Sequence, residues 1–214
     1  MSTSKLEIYN AALVICGERV LASLTEDRKP RRLLDHVWDN DGVEACLERG
    51  QWKFAIKTVK LDFSTTITTD FGYKRAFEKP SDWVLTSAVC SDEFFTAPLI
   101  RYSDENDVWF AELDEIYVKY VSNATDFGLN LSLWPSSFNK YVGAYFAHEI
   151  VMALTQDQDM WDRVEAKYQK YESLAKNADA MAGPQQFPAP GRYVTSRHRG
   201  LTGRDRGSRS NLIG

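Results

Sequence analysis

The chain has 214 residues, of which 43% are hydrophobic and 26% charged, with a net charge of −4. That suits one sizeable domain, or a domain carrying an insertion, built around a real hydrophobic core. Three scattered cysteines (Cys16, Cys46, Cys90) without a CxxC pair exclude a disulfide framework or a cysteine zinc site and are expected as buried free thiols.

Charge is unevenly spread. Gly183 to Gly214 carries six Arg against Asp205 alone, a net of +5, so the preceding residues, with 20 basic and 29 acidic side chains, carry −9. Aromatics reach 13%, more than a small core needs and suited to protein–protein contact. No run approaches the roughly 18 apolar residues of a bilayer span, and Met1-Ser2-Thr3-Ser4-Lys5 lacks the pattern of a signal peptide. The expectation is a protein without a membrane anchor, kept in a reducing compartment.

In chain order, Ser4-Lys5-Leu6-Glu7 is a capping box and predicts a helix with Leu6, Tyr9, Leu13 and Cys16 on its apolar stripe, stopped at Gly17. Glu26 to Pro30 opens a second helix, with Pro30 in its first turn, running to about Gly50 and weakened in the middle by Gly42. After Trp52 the period changes from helical to two. Val59, Leu61 and Phe63 alternate with Lys60 and Asp62, and Tyr73, Arg75 and Phe77 alternate again. Further strands are expected at about 83–90, 94–102, 107–111 and 115–121, paired antiparallel because the links are too short for crossovers. Asn123 to Leu133 reads as a polar loop. Trp134-Pro135-Ser136 starts a third helix, with Phe138, Tyr141, Val142, Tyr145, Phe146, Ile150, Ala153 and Leu154 on a wide apolar face. A fourth begins near Asp159, with Trp161, Val164, Tyr168, Tyr171, Ala175 and Ala178 at alternating spacings of three and four. It ends at Gly183-Pro184.

The fold class expected is α+β. Residues 1–55 and 134–182 form a helical bundle, 56–122 an inserted antiparallel β region that projects from it, and 183–214 an extended basic arm without a core of its own.

Catalytic constellations are missing from the sequence. His148-Glu149 begins like a zinc-protease helix, but Met152 stands where the second ligand belongs. Asp157, Asp159 and Asp162 resemble the start of a calcium loop, yet the required Gly is absent and Trp161 occupies a ligand position. Acids at a helix start explain them more simply. His36 and His198 have no motif around them. Asp114 and Glu115 are adjacent, so on a strand they point to opposite faces. No nucleophile elbow, P-loop or dinucleotide fingerprint occurs. The expectation is a structural protein, not an enzyme, with no cofactor, no metal and no catalytic residue.

The landmarks come in a telling order. Ala11 to Glu18 contains a Leu and the pair Gly17-Glu18. A long helical stretch leads into Trp52-Lys53-Phe54-Ala55, then Pro80-Ser81-Asp82 lies between strands, and Pro135-Ser136-Ser137-Phe138 opens a helix. In this order the chain resembles the tail tubular protein A family of short-tailed phages and the related head–tail adaptors, over about residues 6–182. It departs from that family's pattern at Gln51, where a Pro is usual, and at Trp83, where an apolar residue usually follows Pro-x-Asp. Residues 183–214 have no counterpart.

The resemblance implies a virion protein of the neck, made in the host cytoplasm. It implies a homo-oligomeric ring of about twelve copies, docked on the portal protein and carrying the tail nozzle protein. DNA would pass through the channel without specific binding, and an acidic body suits that role because it does not grip phosphate.

The tail adds an expectation of its own. Phe187, Arg192, Tyr193, Arg197, Arg199, Arg204, Arg206 and Arg209 are candidates for a docking arm onto the portal or a neighbouring subunit, since Arg offers planar, bidentate donors to carboxylates. Two other readings stand beside this one. The Arg-rich tail could serve a nucleic-acid-binding module, and two suitably spaced carboxylates could serve a tail-associated glycan-cleaving enzyme.

Overall fold

The computed structural model describes residues 4–40, 42–69 and 72–183. The fold is α+β. Five helices, α1 (Lys5–Ile15), α2 (Lys29–Asp39), α3 (Gly42–Glu48), α4 (Ser136–Thr155) and α5 (Gln158–Met181), flank six strands: β1 (Ile56–Asp62), β2 (Arg75–Glu78), β3 (Trp83–Cys90), β4 (Ser103–Glu105), β5 (Val108–Ala111) and β6 (Glu115–Ser122).

The capping box at the start of α1 is closed in both directions. Ser4 Oγ accepts from the Glu7 N–H at 3.3 Å, and Glu7 Oε2 accepts from the Ser4 N–H at 3.1 Å. The helix stops where Gly17 takes φ +75°, a conformation that costs a side-chain-bearing residue more. α4 is the centre of the bundle and packs against α1, α2, α3 and α5. Its burial is therefore wider than one stripe: Gly143, Ala144, Ala147 and Val151 are buried along with Phe138, Tyr141, Val142, Phe146 and Ile150, whereas Ala153 is exposed. A helix enclosed on several sides loses the amphipathic pattern that a surface helix shows. On α5 the buried stripe is Val164, Tyr168 and Ala175, and Ala178 is exposed.

The strands form two antiparallel three-stranded sheets, ordered β1-β6-β3 and β2-β5-β4. β1 and β6 run from Ile56 opposite Val121 to Asp62 opposite Glu115. β3 lies on the other side of β6, from Trp83 opposite Ser122 to Cys90 opposite Tyr117, with two register shifts. There are two hydrophobic cores. The helices build one, joined by Ala55, Val84 and Val121 from the β side. Phe77, Val89, Trp109, Ala111, Ile116, Val118 and Tyr120 build the other between strands. Along β6, Ile116, Val118 and Tyr120 take alternate positions toward the β core, and Val121 at the strand end belongs to the helical core. One strand thus ties the two cores together. All three cysteines are free and buried, and burial pushes the Cys16 thiol up to about 11.

Two expected elements differ. The second helix is broken into α2 and α3. A Cβ on Gly42 would come within 2.5 Å of the Val37 carbonyl oxygen and 2.9 Å of Phe146 Cε1, so the backbone passes here where only glycine fits. Gly42→Ala should gain about 1 kcal/mol in helix propensity and lose about 1–3 kcal/mol to overpacking. The net expectation is a lower denaturation midpoint, and an unchanged or raised midpoint would contradict the close approach. The strand expected at 94–102 is instead a loop, and the short strand β4 comes later, at Ser103–Glu105. Asp92 explains the difference. Its carboxylate accepts from the N–H groups of Thr96 (3.0 Å) and Ala97 (2.8 Å) and from the Thr96 hydroxyl (2.6 Å), and a chain curled around one side chain cannot extend.

Candidate functional site

The arm residues Phe187, Arg192, Tyr193, Arg197, Arg199, Arg204, Arg206 and Arg209 lie outside the described residues, as does His198. The other histidines and the acids weighed as ligands are placed in ordinary structural contacts. His36 sits in the last turn of α2, where Asn40 Nδ2 lies 2.9 Å from its Nδ1. His148 on α4 faces α5, with Nε2 2.9 Å from Glu165 Oε2 and its ring stacked on Tyr168 at 5.4 Å. Asp157 Oδ1 accepts from the Asp159 N–H at 3.0 Å, which caps the start of α5. Asp162 Oδ1 accepts from Gln158 at 3.2 Å. Asp114 pairs with Arg75 and Glu115 with Lys60. Among the described residues, no three His, Cys, Asp or Glu side chains converge as a metal site would require.

Two polar clusters couple the β region. The first is centred on the Pro80-Ser81-Asp82 turn between β2 and β3. The Trp83 N–H donates to the Pro80 carbonyl at 3.0 Å, closing the turn. Asp82 then accepts from Lys57 Nζ (2.8 Å) on β1 and from Tyr120 OH (3.0 Å) and Ser122 Oγ (2.6 Å) on β6. Burial disfavours the charged carboxylate, but the donors from Lys57, Ser122 and Tyr120 outweigh it and hold Asp82 below its ordinary 3.8. One carboxylate thereby fixes the turn to two strands at the end of the sheet that meets the helices.

Sequence reasoning missed the second cluster. The Lys79 side chain is 3% exposed, and its ammonium lies 2.5 Å from Asp104 Oδ1 and 3.7 Å from the centre of the Trp83 ring. Thr86 Oγ1 donates to Asp104 Oδ2 at 2.7 Å and accepts from the indole N–H groups of Trp83 and Trp109 at 3.1 Å each. Burial would raise the Asp104 pKa, yet Lys79 and Thr86 hold it below 3.8. The one signal available was Trp83 itself, a large aromatic directly after the Pro80-Ser81-Asp82 turn. Lys79→Met removes the cation and leaves Asp104 with neutral partners, so it is expected to lower stability by about 2–3 kcal/mol. A midpoint shift of less than a quarter of that in urea unfolding would show the cluster to be peripheral.

Exposed large apolar side chains are spread over several places. Val14, Val20 and Leu24 are exposed on and after the end of α1, and Phe94 (77%) and Ile100 (89%) on the β3–β4 loop. A shallow cleft of about 500 Å3 near the end of α5 is lined by Arg49, Gln51, Trp52, Lys53, Lys176 and Asp179. There the Lys53 ammonium covers the Asp179 and Ala180 carbonyls, a favourable place for a cation. No Ser, Thr, Cys or His is among the residues that line this cleft. What it offers is surface for contact. No helix among the described residues is long and apolar enough to cross a membrane.

Scanned against models of known protein families, the sequence matches none, and no curated protein matches it.

Proposed function

We propose that this chain is a structural subunit of a tailed phage, forming a ring adaptor between the portal and the tail nozzle through which DNA leaves the head. The observation that carries the reading is where the four sequence landmarks fall in the fold. Gly17-Glu18 ends α1. Trp52-Lys53-Phe54-Ala55 is the turn that leads from the bundle into β1. Pro80-Ser81-Asp82 is the turn bonded to β1 and β6, and Pro135 caps α4, whose Phe138 is buried against Trp52 and Trp134. Each landmark occupies a joint that couples elements of the fold, which is where a shared architecture would constrain sequence most.

Two further features support it. A ring closed by side-to-side contacts needs two different surfaces on each copy, and exposed apolar side chains occur in several places among the described residues, including the end of α1, the β3–β4 loop, the stretch before α4 and the second half of α5. The acidic body suits a channel that conducts DNA without holding it. Residues 184–214 serve as an arm onto the portal or a neighbouring subunit.

The test is to mix the full chain with the portal protein of the same phage and measure the mass of the product. A complex carrying about twelve copies is expected. A chain that ignores the portal but shifts DNA in a gel, with a steep salt dependence, would favour the nucleic-acid-binding reading instead.

A further inference from the structure

The loop between β3 and β4 is held firmly and still presents large apolar side chains to solvent. Asp92 closes it with three hydrogen bonds. The Ser91 N–H donates to the Ala97 carbonyl at 3.1 Å and the Leu99 N–H to the Val89 carbonyl at 2.9 Å. Cys90 bridges to Pro98. Phe95 holds φ +56°, a region that a bulky residue enters only where its surroundings enforce it, and its ring lies under Lys119 Nζ at 4.0 Å. The loop therefore sorts its apolar residues into two sets. Leu99 and Tyr102 pack on the β core, whereas Phe94 and Ile100 are 77% and 89% exposed. A loop so constrained does not expose a Phe and an Ile through looseness.

The surrounding charge says what kind of partner fits. Residues 91–115 hold eight acidic side chains against Arg101 alone, a net of −7. Asp104, Asp114 and Glu115 are paired with Lys79, Arg75 and Lys60. Glu93 and Glu112 are exposed, form no ion pair among the described residues, and belong to the turns at the sheet end where Cys90 lies opposite Tyr117. Glu105 and Asp107 lie toward the other end of β3, by Lys79 and Pro80. The complement is a segment with several cations and a few isolated apolar side chains. Residues 184–214 of this chain have that composition: six Arg against Asp205, with Phe187, Tyr193, Leu201, Leu212 and Ile213 spaced between them. Arg matches carboxylates with two parallel hydrogen bonds.

We infer that the β3–β4 loop, with Phe94 and Ile100 exposed on it and the carboxylates of Glu93 and Glu112 at the same end of the sheet, receives the Arg-rich segment 184–214 of a neighbouring copy. This rests on the reading of the chain as a subunit that assembles with itself, and names the surface and the segment that meet.

The experiment uses the full chain carrying Phe94→p-benzoylphenylalanine, a photo-crosslinker at an exposed position. Unlabelled and 15N-labelled copies are mixed and irradiated where native mass shows more than one copy per species, and the joined peptides are identified by mass. The expected products join position 94 of one isotope to a peptide within 184–214 of the other. Their yield should fall about fivefold between low and 0.5 M salt, and comparably in Glu93→Gln/Glu112→Gln. Assembled copies whose cross-links go to another segment, stay within one copy or ignore salt would overturn this inference and leave the ring reading standing. A chain that is a monomer at every concentration, with or without the portal, would contradict both.

Discussion

Trp52→Ala is expected to lower the stability of the fold by about 4 kcal/mol, which for a domain of this size is a fall in Tm on the order of 10 °C. Trp52 is 2% exposed. Its ring lies 4.8 Å from Phe138 and 5.8 Å from Tyr141, and its indole N–H donates to the Cys46 carbonyl at the end of α3 at 3.0 Å. It joins α3, α4 and the entry to β1, so the truncation opens a cavity where bundle and sheet meet. Trp52→Phe fills most of that volume but leaves the Cys46 carbonyl unpaired, and should cost about 1–2 kcal/mol. Calorimetry of the two variants separates packing from the hydrogen bond. Equal losses would show that the cavity is not the main effect.

Asp82→Asn is expected to cost about 3 kcal/mol although it changes almost no volume. The carboxylate accepts from Lys57 and Ser122 on one oxygen and Tyr120 on the other. An amide retains one acceptor and turns a donor toward other donors. The sign of the pH dependence follows from the direction of the shift. The folded-state pKa of Asp82 is depressed below 3.8, so its stabilisation is complete above the unfolded value and is lost as pH falls through the folded one. The gap between parent and variant in urea unfolding should be widest from pH 5 upward and narrow below about pH 4. A gap that grows on acidification would contradict the assignment.

How much of this was legible in the sequence depended on how local the cause was. The start of α1 was plain because Ser4 and Glu7 satisfy each other across one turn. α4 and α5 were plain because Phe138, Tyr141 and Phe146, and Val164, Tyr168 and Ala175, keep helical spacing over many residues. The break between α2 and α3 was visible only as a Gly, because what forbids a side chain at Gly42 includes Phe146, from a helix far along the chain. The strand expected at 94–102 follows from apolar residues that suggest alternation, whereas the chain there is a loop. Ser91-Asp92 and Pro98 were the contrary signals, and the carboxylate bonds of Asp92 decided the matter. The strand order β1-β6-β3 and the split into two sheets rest on long-range pairing, which no local pattern encodes.

The candidate site divides in the same way. The Pro80-Ser81-Asp82 turn was noticed as a motif, but its coupling to Lys57, Tyr120 and Ser122 required the sheet to be assembled first. The burial of Lys79 was hidden, since Trp83, Thr86, Asp104 and Trp109 reach it from three different strands. The proposed arm rests on composition alone, the density of Arg after Gly183, and lies outside the described residues.

We propose that many copies of this chain close into a ring at the neck of a tailed particle. Cryo-EM of the particle that contains the chain tests it most directly. The expected result is a ring of about twelve copies between portal and nozzle, each copy fitting the five-helix, two-sheet fold, with the helical core around α4 and the β core around Trp109 both recognisable. A neck whose density is filled by other proteins, with this chain found elsewhere in the particle or absent from it, would contradict the claim.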